Sequence, residues 1–291
     1  MVDARTAVAR GRHDVEFFAH HFCDLNLHEG QLEYLTNAQA TYNLVLTGNR
    51  WGKTTAVGVK HLHCQFYKLG AEPRYMDADG QIDPRKFRRV RYLTCHTAGL
   101  YETAEMVWNE VEQLVKNNEH LAPWLVTPLP RSKPHEIRFI HNGRWYFRTL
   151  GDDGEGIDGK SFYLITIDEA GWEAKIEQII NNVARMRVAD VRGMVDCLGT
   201  AKPGTSQGFF NLAVQAQAYL GDERQLDHSG SSKPRSDGAR PIVDPVILEY
   251  GRQAGYDLEP LLHAYLQKRS AQERQEMDEH LVNLTYLGAI A

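Results

Sequence analysis

No apolar run in the sequence approaches the ~18 residues needed to span a bilayer, and the first eighteen residues lack the apolar core of a signal peptide. A cytoplasmic location without membrane contact is therefore expected. Cysteine is scarce. Cys23, Cys64, Cys95 and Cys197 are widely scattered, with no CxxC pair and no Cys/His group at zinc-ligand spacing. Buried thiols in a reducing compartment are the expectation, rather than a disulfide framework. Positive charge is not in excess either. A net charge of -5 argues against a protein that coats nucleic acid through its overall field, though not against a local contact surface.

What remains is an ordinary globular composition, 42% hydrophobic and 24% charged, in a chain of 291 residues. That length suits one principal domain with a small subdomain. Leu44 to Thr47 is a short apolar run ending in a glycine-containing turn, and Thr54 to Phe66 has helical length and periodicity. A second strand-helix unit follows, with Val90 to Cys95 as strand and Tyr101 to Val115 as helix. Glu136 to Ile140 and Arg144 to Arg148 flank His141-Asn142-Gly143, and Asn-Gly between two β-type runs is a strong hairpin signal. Phe162 to Ile167 is nearly all apolar, as a central parallel strand covered on both faces should be, and Met194 to Leu198 is a shorter strand of the same kind. The alternation predicts an α/β fold, a mainly parallel sheet flanked by helices and decorated by a hairpin. After Pro203 the strand signals fade. Ser229 to Gly238 has no core-forming potential, and Leu258 to Leu266 and Ala271 to Leu284 look helical.

The strongest chemical signal is Gly48-Asn49-Arg50-Trp51-Gly52-Lys53-Thr54-Thr55, between the first strand and its helix. A loop in that place aims backbone N–H groups and a helix N-terminus at a nucleotide's phosphates. Gly52 lets the backbone approach, Lys53 neutralises the β- and γ-phosphates, and the Thr54 hydroxyl can ligate Mg²⁺. Three residues rather than four separate the two glycines, and Thr47 occupies the place of the first glycine of the standard loop. Trp51 either stacks on a ligand or packs. Asp168 and Glu169 follow the central strand; Asp168 would hold Mg²⁺ through water, and Glu169 would orient and polarise an attacking water. ATP and Mg²⁺ are the expected cofactors, and hydrolysis the expected reaction. Elsewhere, Arg85 to Arg91 places five basic residues in seven, read either as a DNA-contacting surface or as a solvated loop leading into a strand.

In the form Gly-Asn-Arg-x-Gly-Lys-Thr, the phosphate loop resembles the Walker A variant of tailed-bacteriophage terminase large subunits. Leu27-His28-Glu29-Gly30-Gln31 resembles that family's adenine-contacting Q segment, and Leu198-Gly199-Thr200-Ala201 its coupling motif, with alanine in place of the usual proline. The resemblance covers Leu27 to about Pro203 and implies a P-loop ATPase core of the ASCE/RecA-like class over 1–204, with a helical lid subdomain and linker over 205–291. It implies a motor driving double-stranded DNA into a procapsid: a homo-oligomeric ring, taken as a pentamer, docked on a portal protein in the host cytoplasm and working with a small terminase subunit. It gives Gln31 the adenine, Arg50 the γ-phosphate in cis, and Thr200 the sensing of the γ-phosphate. It also implies a basic finger from a neighbouring subunit, for which Lys160 is the first choice and Arg148 the second. No second set of strand-end aspartates suited to a nuclease is found, so no nuclease activity is expected from this chain. The competing readings are a helicase-like ATPase and a nucleotide-gated assembly module.

Overall fold

The computed structural model describes residues 3–48, 50–116, 118–200, 205–213, 252, 255–258, 260 and 282–286. Its centre is a seven-stranded sheet in the order β3-β4-β2-β5-β6-β1-β7. The strands are β1 (Tyr42–Leu46), β2 (Tyr92–Ala98), β3 (Glu136–Arg138), β4 (Gly143–Thr149), β5 (Leu164–Asp168), β6 (Met194–Gly199) and β7 (Val282–Tyr286). All pairings are parallel except β3 with β4. That exception is the expected hairpin; Asn142 turns it with φ of 68°. Every residue of β1, β2 and β5 is buried, which suits the mostly apolar sequences of β1 and β5, while β2 also buries Thr94, His96 and Thr97.

Successive strand residues feed opposite cores. Leu44, Leu46, Val195 and Cys197 join one apolar cluster, while Val45 and Leu198 join the other. On the first side lie α7 (Ile176–Ile179), which runs through a π-turn at Ile180–Ala184 into α8 (Arg185–Ala189), and a helical stretch at 207–213 that buries Phe209 and Phe210. Numbered in chain order, the helices outside that layer are α1 (Ala4–His13), α2 (Val15–Cys23), α3 (Glu29–Asn37), α4 (Lys53–Tyr67), α5 (Pro84–Arg89) and α6 (Tyr101–Lys116). The second core is built from α1 to α4 and α6.

Two sequence expectations change. Ala271 to Leu284 is not wholly helical, because Val282–Tyr286 pairs in parallel register along the free edge of β1. Val, Thr and Tyr favour that pairing, and the open ladder of β1 outweighs the helix propensity of the residues before it. The basic run Arg85 to Arg91, for which a solvated loop is one of the two readings, is helical through Arg89, within α5. The remainder of Leu258 to Leu284, and Ser229 to Gly238, lie outside the described residues apart from Leu258 and Pro260.

The face of α4 toward the sheet is polar: His61 and Gln65 stand at i and i+4, and Lys68 follows as the left-handed C-cap. The ring nitrogens His61 Nε2 and His96 Nδ1 both meet Thr166 Oγ1, at 2.8 and 2.7 Å, and His61 stacks on Trp145 at 4.4 Å. Burial depresses these imidazoles, His96 to about 3 and His61 well below its ordinary value; burial also lowers His63 and His141 to about 4. In the unfolded chain each titrates near 6.5. Between that value and the folded one the unfolded chain binds more protons, so stability is complete above pH 6.5 and falls with pH, by ~1.4 kcal/mol per unit per histidine. Asp168, raised to about 6 by burial, works in the opposite sense below that pH and offsets about one histidine. Urea midpoints are expected to drop steeply between pH 7 and 5; a flat profile there would show that these imidazoles are not held neutral.

Candidate active site

The parallel strands end together, so the loop after β1, the carboxylates after β5 and the residue after β6 share one edge of the sheet, with β6 lying between β1 and β5. In the loop, Gly52 caps α4 with φ of 87°, and a Cβ there would lie 2.5 Å from Gln31 Nε2. Both the backbone and the neighbour demand glycine. By contrast, a Cβ on Gly48 would meet nothing within 4 Å. Arg50 is exposed, with φ of 60°. Asn49 lies outside the described residues.

The segment before α3 holds this loop from behind. Gln31 Nε2 donates to Gly52 O at 3.0 Å while its Oε1 accepts from His28 N at 3.1 Å. His28 Nδ1 accepts from Gln31 N at 3.3 Å, which leaves the ring proton on Nε2 to donate to Trp51 O at 2.8 Å. Trp51 is half-buried, edge-on to His28 and Tyr34 at 5.2 and 6.4 Å, so it packs. His28 was missed in the sequence, although a polar residue three before Gln31 is a capping-box spacing. Gln31 itself is 6% exposed, and both ends of its amide are engaged inside the chain. Gly52→Ala is expected to lower stability by more than ~1 kcal/mol and to weaken ATP binding. Adding Gln31→Ala removes the clash but not the backbone strain and should restore only part; full recovery of the nucleotide titration would contradict this account.

Lys53 opens α4, and its Nζ donates to Thr200 Oγ1 at 2.9 Å and lies 4.0 Å from Glu169 Oε1. Asp168 is 6% exposed and accepts from Glu169 N at 2.8 Å. Burial, and next the Glu169 charge, raise its carboxyl to about 6 against the opposing pull of that N–H bond and of Lys53. Glu169 adopts φ of 50°, a left-handed conformation that is costly for a side chain of this size and directs its half-exposed carboxylate toward Lys53. Thr54 lies half-buried in the first turn of α4. Thr55 is turned away, its hydroxyl donating to Glu110 of α6.

No family model and no curated protein matches the chain. Solved structures do. The ATPase domain of the large terminase of Thermus phage P74-26, in native and single-mutant forms, superposes with a TM-score of 0.50 at 15% identity. The match to the single-mutant form covers 69% of this chain and 74% of that one. The large terminase of bacteriophage HK97 superposes with a TM-score of 0.51 at 13% identity, covering 96% of this chain and 55% of that one. The fold is that of a phage large-terminase ATPase domain. This chain thus spans just over half the length of the HK97 terminase.

On this terminase ATPase fold, Lys53, Asp168, Glu169 and Thr200 come together at one edge. Lys160 does not join them. It precedes β5 by four residues and so belongs to the opposite edge, with its ammonium over the Tyr146 ring at 5.2 Å. The Arg148 guanidinium lies near the same ring at 5.0 Å.

Proposed function

We propose that the chain is the ATP-hydrolysing motor domain of a viral terminase, driving double-stranded DNA into a procapsid. The observation that carries this reading is the meeting of Lys53 Nζ with Thr200 Oγ1 and Glu169 Oε1, at 2.9 and 4.0 Å, on a terminase ATPase fold. The loop from Gly48 to Thr55 receives the phosphates through its amides, and Lys53 neutralises the β- and γ-phosphates. Gln31 contributes mainly by holding Gly52 in place, with the adenine as its further contact. Arg50, exposed on the loop, reaches the γ-phosphate.

Among the described residues there is no cage of three or more metal-ligating side chains. The donors present suit a Mg²⁺–nucleotide complex instead: Asp168, buried beside the site with one oxygen free of hydrogen bonds to described residues, and the Thr54 hydroxyl, with water and phosphate oxygens completing the shell. Bound there, Mg²⁺ supplies positive charge against the charge that develops on the transferring phosphoryl group.

Lys53 bridges Thr200 and Glu169. A γ-phosphate competes for the ammonium, which frees the Glu169 carboxylate to accept a proton from water and leaves the Thr200 hydroxyl to sense the phosphate. Hydrolysis is thereby coupled to β6, the strand that Thr200 ends. A ring of identical subunits on a portal, with a small terminase subunit as partner, is the assembly this reading implies, and Lys160 or Arg148 would act on a neighbour's nucleotide. The test is phosphate release with and without Mg²⁺ and duplex DNA. Mg²⁺-dependent turnover that DNA stimulates is expected, and failure to bind ATP at all would overturn the reading.

A further inference from the structure

The amino edge of the sheet, opposite the nucleotide, carries charge that, Lys160 apart, the proposed chemistry does not use. Helix α5 lies there and leads into β2. It is firmly built: Asp83 caps its first amides, accepting from Arg85 N and Lys86 N at 2.8 and 3.2 Å. Phe87 turns inward, edge-on to Tyr75 at 5.0 Å and against His141 at 5.3 Å. Beneath it the buried Lys68 ammonium donates to the carbonyls of Phe87, Val90 and His141 at 2.5, 2.5 and 2.6 Å. Asn142 Nδ2 donates to Arg89 O at 3.1 Å.

From this platform Arg85, Lys86, Arg88, Arg89 and Arg91 face solvent, and none is ion-paired within the described residues. The charge continues into a cleft of about 400 Å³ lined by Arg74, Arg91 and Lys160, where Asp190 accepts from Ser161 Oγ at 3.1 Å. Acids nearby are engaged locally. Asp77 caps its own turn, accepting from Asp79 N and Gln81 N at 3.0 and 2.8 Å, and Asp83 is held by α5; the exception is Asp79, exposed and without a carboxylate hydrogen bond to described residues.

We propose that this edge grips the phosphate backbone of duplex DNA without reading its sequence, about 20 Å from the nucleotide along the strands. The inference rests on the reading of the chain as a DNA-moving ATPase. Arginine predominates, and its planar fork suits phosphate oxygens. The apolar side chains of the run, Phe87 and Val90, are half-buried and packed against the core, so α5 offers no exposed ring for unpaired bases, which favours a duplex over a single strand. In a chain of net charge -5, such an edge is where a polyanion would be drawn.

The test is fluorescence anisotropy of a labelled duplex oligonucleotide with the full chain between 50 and 200 mM salt, comparing wild type with the triple variant Arg85→Ser, Arg88→Ser, Arg89→Ser. The variant should bind on the order of 10- to 100-fold more weakly at low salt, with a log–log salt slope shallower by about 3. Its melting temperature and its ATP turnover without DNA should be unchanged. Wild-type affinity and slope in the variant would overturn the proposal, as would equal competition by polyglutamate or tighter binding of a single strand. Duplex-stimulated ATP turnover that the triple variant keeps, together with wild-type DNA affinity, sinks this inference and leaves the proposed function standing. Duplex binding that depends on α5 in a chain that never hydrolyses ATP does the reverse.

Discussion

Glu169→Gln is expected to leave ATP binding intact and to reduce turnover by about 10²- to 10⁴-fold. The side chain sits after a buried strand in a left-handed conformation, with its carboxylate 4.0 Å from Lys53 Nζ and its backbone N–H committed to Asp168. An amide keeps the size and the backbone geometry but gives up the ability to take a proton from water. Binding should survive because, on the proposed reading, the loop amides and Lys53 hold the phosphates, and the substitution touches neither. Equilibrium nucleotide titration and single-turnover phosphate release separate the two effects. Undiminished release would place the base elsewhere and leave the strained backbone of Glu169 without a catalytic explanation.

The second large effect lies in the core. Asp196 is fully buried and collects Tyr34 Oη at 2.6 Å, Asn43 Nδ2 at 2.8 Å and Lys60 Nζ at 2.5 Å; Lys60 also donates to Ala38 O at 2.7 Å. Burial, then the Asp196 charge, keep the Tyr34 hydroxyl protonated far beyond its usual range. One carboxylate thus joins α3, β1, α4 and β6, the elements that carry the Gln31 clamp, the phosphate loop and Thr200. Asp196→Ala strands the ammonium and should cost about 3–5 kcal/mol in urea unfolding. The pair Lys60→Met with Asp196→Leu removes both charges and should cost far less than the sum of the single changes. Additive losses would show that the ion pair is not the connection between these elements.

The parts of the fold that were legible are those whose chemistry is local. The loop at Gly48 to Thr55, the Asn142-Gly143 turn and the paired carboxylates after the central strand each announce themselves within a few residues, because special backbone angles and strand ends demand particular side chains. What escaped depends on partners distant in sequence. His61, Gln65 and the capping Lys68 break the apolar stripe expected on the sheet-facing side of α4, and Thr166, Thr94 and four backbone carbonyls make them tolerable there. The role of His28 likewise appears only once Trp51 O is beside it. The edge strand Val282–Tyr286 owes its conformation to the free side of β1, not to its neighbours in sequence. Thr55 shows the converse, since its hydroxyl, beside the phosphate loop by position, is used by α6.

The central claim is that Lys53 serves ATP hydrolysis in an assembling motor. Its most direct test is steady-state phosphate release over a wide range of protein concentration, with and without duplex DNA, for wild type and Lys53→Ala. A Lys53-dependent rate that rises more steeply than protein concentration is the expected result, because each site then gains a group from its neighbour. Wild type and Lys53→Ala equally silent at every concentration, with ATP still bound by the wild type, would contradict it.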